Sequence, residues 1–261
     1  MMGAVTIEFN SASIMKRKHF LGLVWTALCG LVLAWNIQAA DTPKLRVLVV
    51  TGGHDFEREA FFDVFKSIPD ITFIEAQHPK AHEYFTPARS GEYDVVLLYD
   101  LWQDISKEAR ADFENLIKSG KGLVATHHCI ASYQDWPEYA RMIGGKYYLQ
   151  PYKENGQDKP ASTYKHDVDV KVHVVDPKHP VTKGLADFDI HDETYGFFSV
   201  IPGMTPLLTT AEPTSSPTIA WCHTYGKARV VYLELGHDHL SYVNPNYRKL
   251  IRQSILWVAD K

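Results

Sequence analysis

Lys44-Leu45-Arg46-Val47-Leu48-Val49-Val50-Thr51, followed at once by Gly52-Gly53-His54-Asp55, carries the clearest fold signal in the chain. A near-continuous apolar run headed by charge reads as a strand buried on both faces of a parallel sheet, because a strand with one wet face would alternate. After the glycine turn, Glu57 to Lys66 places Ala60, Phe61, Val64 and Phe65 at helical spacing, with Asp55 as the expected N-cap. Strand, glycine turn and helix open a βαβ unit.

The same alternation continues beyond this unit. Thr72 to Glu75 and Asp94 to Tyr99 repeat the buried-strand signature. Ser106 opens a helix with Ala109, Phe113, Leu116 and Ile117 on one face, closed by Gly120. Gly122 to Thr126 is the next strand, and Trp136-Pro137 to Ile143 a short helix ended by Gly144-Gly145. Val168 to Val175, Pro206 to Thr210, Thr218 to Cys222 and Ala228 to Leu235 supply further strands, and Asn244-Pro245 starts a closing helix with Leu250, Ile251, Ile255 and Val258 inward. Strands alternating with helices predict an α/β fold with a doubly wound, mostly parallel sheet flanked by helices. Tyr147 to Asp167 breaks the pattern and is expected to be a lid or an insertion at 147–167.

A chain of 261 residues, 45% hydrophobic and 22% charged, buries enough surface to fold without disulfides or a structural metal. The 27 basic against 31 acidic side chains exclude a general phosphate-backbone binder, so no nucleic-acid partner is expected. From Met15, Lys16-Arg17-Lys18, the apolar stretch Phe20 to Trp35 and Ala39-Ala40 form the pattern of a signal peptide with an upstream extension, giving an expected leader over 1–40 cleaved near Ala40. The apolar stretch is too short to span a bilayer, and Leu28 before Cys29 is a poor lipidation signal. The expected location is periplasmic or secreted, with no stable membrane insertion after cleavage, and residues 41–261 form one domain. Beyond the leader only Cys129 and Cys222 remain, so at most one bridge could form, with two buried free thiols as the alternative.

In open α/β sheets ligands bind beyond the carboxyl ends of the strands. Histidines stand at three of those ends: His54, the pair His127 and His128, and His237 with His239. Gly52 and Gly53 let backbone approach a ligand, and the helix after them offers free amides to an anion. The spacing is neither a dinucleotide fingerprint nor a P-loop, so no nucleotide is expected. Asp192-Glu193-Thr194-Tyr195 groups two carboxylates and a phenol, with Glu193 a candidate base or metal ligand and a solvated surface turn as the alternative. In Gly236-His237-Asp238-His239, Asp238 is a candidate to orient an imidazole. Histidines and a carboxylate suit zinc, manganese or iron without choosing between them. Cys129, between His128 and Ile130, lacks the small neighbours of a nucleophile elbow, and counting from the strand His128 takes that position.

Thr51-Gly52-Gly53-His54, Gly122 to His128, Trp136-Pro137-Glu138-Tyr139, His179-Pro180-Val181-Thr182, Asp192 to Tyr195, and Ala220-Trp221-Cys222 through Gly236-His237-Asp238 together resemble the ThuA-like (trehalose-utilisation) family, in order over Lys44 to Ala259. The resemblance implies a flavodoxin-like fold similar to class I glutamine amidotransferases without their catalytic cysteine. It also implies carbohydrate use, on oxidised (3-keto) glycosides made by a partner sugar dehydrogenase. Carried over position by position, His54, His127, Glu193 and His237 match the motif histidines and glutamate, and Asp238 the aspartate. Where many relatives carry His-Pro, this chain has Gln150-Pro151, and His166 is the expected replacement.

Two functions compete. In the enzymatic one, Glu193 or a neutral histidine among His127 and His237, with Asp238, removes a proton beside the keto-sugar carbonyl. A divalent metal on His54, His127, Glu193 and His237, or the Gly52-Gly53 amides, stabilises the enolate, giving elimination, hydrolysis or isomerisation. In the binding one, a non-catalytic protein of a saccharide-utilisation pathway stacks sugar on Trp102, Trp136 and Tyr195. His128, Trp136 and Tyr195 are substrate-binding candidates in either case.

Overall fold

The computed structural model describes residues 44–260. The expected leader, with Cys29, lies outside them. Strand β1 (Leu45–Gly52) leads to α1 (Arg58–Lys66), β2 (Ile71–Gln77) and β3 (Val95–Asp100). Then come α2 (Lys107–Lys118), β4 (Gly122–Thr126), a 3-10 turn (His127–Ala131) and α3 (Pro137–Ile143). Four strands follow, β5 (Gly145–Lys146), β6 (Tyr152–Glu154), β7 (Gln157–Lys159) and the long β8 (Thr163–Val174). The remainder is β9 (Phe188–Gly196), β10 (Ser199–Val200), β11 (Thr205–Thr209), β12 (Thr218–Tyr225), β13 (Ala228–Leu233), α4 (His239–Tyr242) and α5 (Pro245–Val258).

The main sheet runs β2-β1-β3-β4-β13-β12-β11-β8-β9. From β2 to β13 every pairing is parallel, and from β13 to β9 every pairing is antiparallel. The parallel half is doubly wound because side chains alternate across each strand. Val47 and Val49 face a core with α1 and α5, through Phe61, Phe65, Leu250 and Ile255. Leu48 and Val50 face the other core, with Phe113 and Ile117 of α2 and Met142 of α3. Both faces of β1 are therefore covered, which is why its sequence reads as an unbroken apolar run. Gly122 lets α5 lie against β4, since a Cβ there would stand 2.4 Å from the Val258 carbonyl oxygen.

The expected caps at Ser106 and Asn244 form, their side chains accepting from Ala109 N and Asn246 N. Asp55 does not cap α1. Phe56 turns into the core against Phe61 and Tyr99, so the helix starts later, with Glu57 at the cap position. Glu57 makes no side-chain cap there because its carboxylate accepts from His239 N (2.7 Å) at the start of α4. The segment 147–167 carries structure of its own, the β6–β7 hairpin and the first residues of β8, which begins at Thr163 rather than at Val168. Strand β9 does not read as a strand from its polar sequence. It pairs with β8 along most of its length, and Asp192, Glu193 and Thr194 are buried in it, so the surface-turn alternative falls. Cys129 and Cys222 are buried free thiols.

Candidate functional site

Strand β8 pairs with β11 only at its far end, through Val174 and His173. Its first half, with the paired second half of β9, therefore runs on as a two-stranded arm, and the arm brings Glu193, Tyr195 and His166 to the ends of β4 and β13. At the end of β4 the chain turns sharply. His127, not His128, takes the strained position, with φ +52°, a conformation costing a non-glycine residue roughly 1–2 kcal/mol. Such strain persists where surrounding structure holds it. Here the His127 Nδ1–H donates to the Glu234 carbonyl at 2.7 Å, which fixes the tautomer and leaves Nε2 with a lone pair.

That lone pair faces the Glu193 carboxylate and the Nδ1 of His237. His127 Nε2 lies 3.1 Å from Glu193 Oε2 and 3.2 Å from His237 Nδ1, and His237 Nδ1 is 3.3 Å from Glu193 Oε2. The Tyr195 hydroxyl is 2.9 Å from the same His127 nitrogen. A carboxylate and an imidazole lone pair repel at such separations unless a cation, a proton or a metal ion, sits between them. The donor set fits a metal. With ligand bonds near 2.0–2.1 Å, the edges of a tetrahedral zinc site are about 3.3 Å. Two imidazoles and one carboxylate, with the fourth side toward a pocket, are the donors of a catalytic rather than a structural site. A backbone carbonyl holding the far nitrogen of a ligand histidine is the expected support.

Burial alone would raise the Glu193 carboxyl, but the His127 and His237 imidazoles beside it outweigh that and hold the group well below the usual carboxylate range. The hydrogen bond to Glu193 raises His237 in turn, against its burial. Burial pushes the His128 imidazole well below its ordinary value and the Tyr195 phenol well above. His128 is 4% exposed, and neither ring nitrogen has a hydrogen-bond partner among the described residues.

The adjoining pocket, about 240 Å³, is lined by His54, His128, His166, Glu193 and Tyr195, with Tyr147, Tyr164, Leu101, Leu149 and Ala131 supplying apolar wall. His166 Nδ1 is 3.3 Å from Glu193 Oε1, so this histidine does join the site. A larger groove bordered by Lys171, His173, Asp187 and Thr209 lacks such convergence and holds only the exposed His173–Asp187 pair.

Among the expected residues, His127, Glu193 and His237 converge, and His128 and Tyr195 line the pocket. His54 lines it too, its ring 4.7 Å from that of His128, but it stands outside the three-donor group, and its Nδ1–H donates to the Asp55 carbonyl. Asp238 does not orient an imidazole. Its carboxylate caps α4, accepting from Leu240 N and Ser241 N. Trp136 is core rather than a sugar platform, packed between Phe113 and Tyr139 at 6% exposure. Trp102 stacks on His78 at 5.3 Å, outside the pocket lining. Gly52 and Gly53 make the turn rather than the pocket wall: at Gly53, φ is +82° and a Cβ would fall 1.8 Å from the Leu101 carbonyl oxygen. Burial pushes the Cys129 thiol well above its ordinary value, consistent with a residue that is no nucleophile.

Sequence reasoning missed Tyr147 and Tyr164 in the wall and Glu234 beneath it. Glu234 carried a signal, a carboxylate closing the apolar run Val230 to Leu233.

Fold and site define an α/β protein of flavodoxin-like, glutamine amidotransferase-like architecture with a histidine–carboxylate cluster where such folds bind ligands. Residues 46–258 match the ThuA family, described as trehalose utilisation, and the chain belongs to that family. Among solved structures it is similar to a protein assigned as ThuA-like from Parabacteroides merdae, with 19% identity, TM-score 0.69, and coverage of 83% of this chain and 90% of that one. A second, from Bacteroides uniformis, gives 20% identity, TM-score 0.64, and coverage of 86% and 95%. A protein from Thermoplasma acidophilum, assigned as part of a GMP synthase, shares the fold at 11% identity and TM-score 0.50, covering 84% and 96%. No curated protein matches the chain.

Proposed function

We propose that this ThuA-family protein is exported and processes oxidised (3-keto) glycosides by removing the proton next to the sugar carbonyl, with a divalent cation held by His127, Glu193 and His237. The convergence of those three donor atoms within 4.8 Å of one another carries the reading. A cation of this class supplies Lewis-acid stabilisation of the developing enolate oxygen.

The chain's own residues divide the remaining work. A carboxylate held as low as that of Glu193 is a weak base, which suits it to hold a cation and to orient His166 through Oε1. The half-exposed His166 imidazole then accepts the proton from the carbon beside the carbonyl. The electron pair left on carbon moves to the carbonyl oxygen as the enolate. Collapse of the enolate expels the neighbouring glycosidic oxygen, which departs as the alcohol with the proton returned by His166, and water addition to the resulting enone completes net hydrolysis. Return of the proton elsewhere isomerises the sugar instead. His128, whose ring nitrogens have no hydrogen-bond partner among the described residues, is available to hydrogen-bond a sugar oxygen. The pocket lies below the roughly 300–1,000 Å³ of drug-sized sites, so it suits one ring, with the rest of the glycoside at the mouth beside Tyr164. A sugar dehydrogenase would supply the ketone.

The Tyr147 and Tyr164 faces also suit plain sugar binding, and one experiment separates the readings. Tag-free protein is incubated with a 3-keto-disaccharide and zinc, manganese or iron(II) in turn, beside Glu193→Ala. Turnover that Glu193→Ala lowers far more than it lowers affinity supports the enzyme. Unchanged substrate with every metal overturns it, and tight binding without turnover leaves the binding protein.

A further inference from the structure

The three donors come from three places, β9, the turn after β4 and the loop after β13, and β9 is not a sheet neighbour of β4 or β13. Ladder hydrogen bonds therefore cannot set their separations. Two buried carboxyls bridge the gap. Asp192 Oδ1 accepts from His237 N and Glu193 N, both at 2.9 Å, and Oδ2 accepts from Gly236 N at 2.8 Å. In the opposite sense, Glu234 Oε1 accepts from Tyr195 N at 3.1 Å and from Ser215 Oγ at 3.2 Å, while the Glu234 carbonyl holds His127. Asp192 is 2% exposed and Glu234 1%.

We propose that Asp192 and Glu234 are positioning residues, a reciprocal latch that closes the β9 arm onto the loop after β13 and holds His127, Glu193 and His237 at cation-binding separation. The inference rests on the cation reading above. Its physical basis is geometric. Asp192 gathers the backbone amides of two donor residues on one oxygen, so Glu193 and His237 share a common anchor. Glu234 fixes the residue two after Glu193 through its side chain and the His127 ring through its backbone. Asparagine at 192 would turn one accepting oxygen into a donor and leave at least one of the three amides unpaired. Glutamine at 234 keeps an accepting oxygen, whereas leucine does not.

The test is zinc affinity of the tag-free full chain, measured against a competing chelator, for Asp192→Asn, Glu234→Leu and Glu234→Gln. Leu250→Ala, a core change on α5, serves as the control for lost stability. Outer support of this kind is worth about 10–100-fold in metal affinity, so Asp192→Asn and Glu234→Leu are expected to weaken zinc binding by that factor. Glu234→Gln should restore most of it, and Leu250→Ala should lower Tm without changing zinc affinity. Zinc affinity unchanged in Asp192→Asn and Glu234→Leu, with only Tm reduced, overturns the latch. Should Asp192→Asn fail to fold, the Glu234→Leu and Glu234→Gln pair decides. Should the wild type take up no zinc, the cation reading fails by itself, and histidine nitrogen NMR of the metal-free protein decides the latch. A changed signal for His127 Nε2, the ring nitrogen that the β9 arm reaches through Glu193 and the Tyr195 hydroxyl, in Glu234→Leu but not in Leu250→Ala would support it, and an unchanged signal would overturn it.

Discussion

Adding zinc to metal-free protein should raise its melting temperature, and His127→Ala should abolish the rise. The donors His127 Nε2, Glu193 Oε2 and His237 Nδ1 are already 3.1–3.3 Å apart, so little rearrangement opposes binding, and the unfolded chain lacks the preformed set. Ligand that binds only the native state at 100 times its Kd adds about 2.7 kcal/mol of stability. For a domain of this size each kcal/mol moves Tm by about 2–4 °C, so the expected rise is roughly 5–11 °C. His127→Ala removes one of three donors while keeping a Cβ at the same positive φ, so backbone strain is not relieved and a change in response reports the lost ligand. The assay is a tryptophan-fluorescence melt of tag-free protein stripped with chelator, then titrated with zinc. No rise in the wild type, or an equal rise in His127→Ala, would refute the reasoning.

Other consequences are independent of that one. Without metal, Glu193 is depressed and His237 raised, so Glu193 contributes stability above its ordinary 4.5 that is lost as pH falls through its lowered value. His237 contributes stability fully present below 6.5 and lost as pH rises through its raised value. Urea unfolding between pH 3 and 8 should therefore show a maximum between these ordinary values that Glu193→Gln flattens; an unchanged profile in the variant would contradict the pairing. Gly53→Ala should destabilise by more than about 1 kcal/mol, because φ is +82° and the Leu101 carbonyl oxygen blocks the methyl; a wild-type urea midpoint would contradict it. Cys129, fully buried with a raised thiol pKa, should resist iodoacetamide in the native protein and react after unfolding. Rapid native alkylation, read by mass spectrometry, would show that the turn opens.

The parallel half of the fold was legible because both faces of its strands are buried, so hydrophobicity alone marks them. The β1 run and the Ser106 and Asn244 caps are local signals, and they appear where expected. Strand β9 was hidden for the opposite reason. Asp189, His191, Asp192 and Glu193 make it read as polar, although Asp192 and Glu193 are buried through hydrogen bonds to backbone and histidine from distant segments.

The strand–helix alternation, the covered faces of the sheet and the histidines at strand ends are local properties, since each follows from residues within a few positions of one another. Which of those side chains meet depends on strand pairing across the whole sheet. Alternation identifies a strand but not its partner, so only the arm of β8 and β9 brings Glu193 to His127, far apart along the chain. The same long-range contacts put the backbone amides of Gly236 and His237 on Asp192 while Asp238 caps α4, turned Trp136 into core, and put His127 rather than His128 at the strained turn. Hydrogen bonds between chain-distant groups form only after the arm has closed over the strand ends, and no local pattern encodes them.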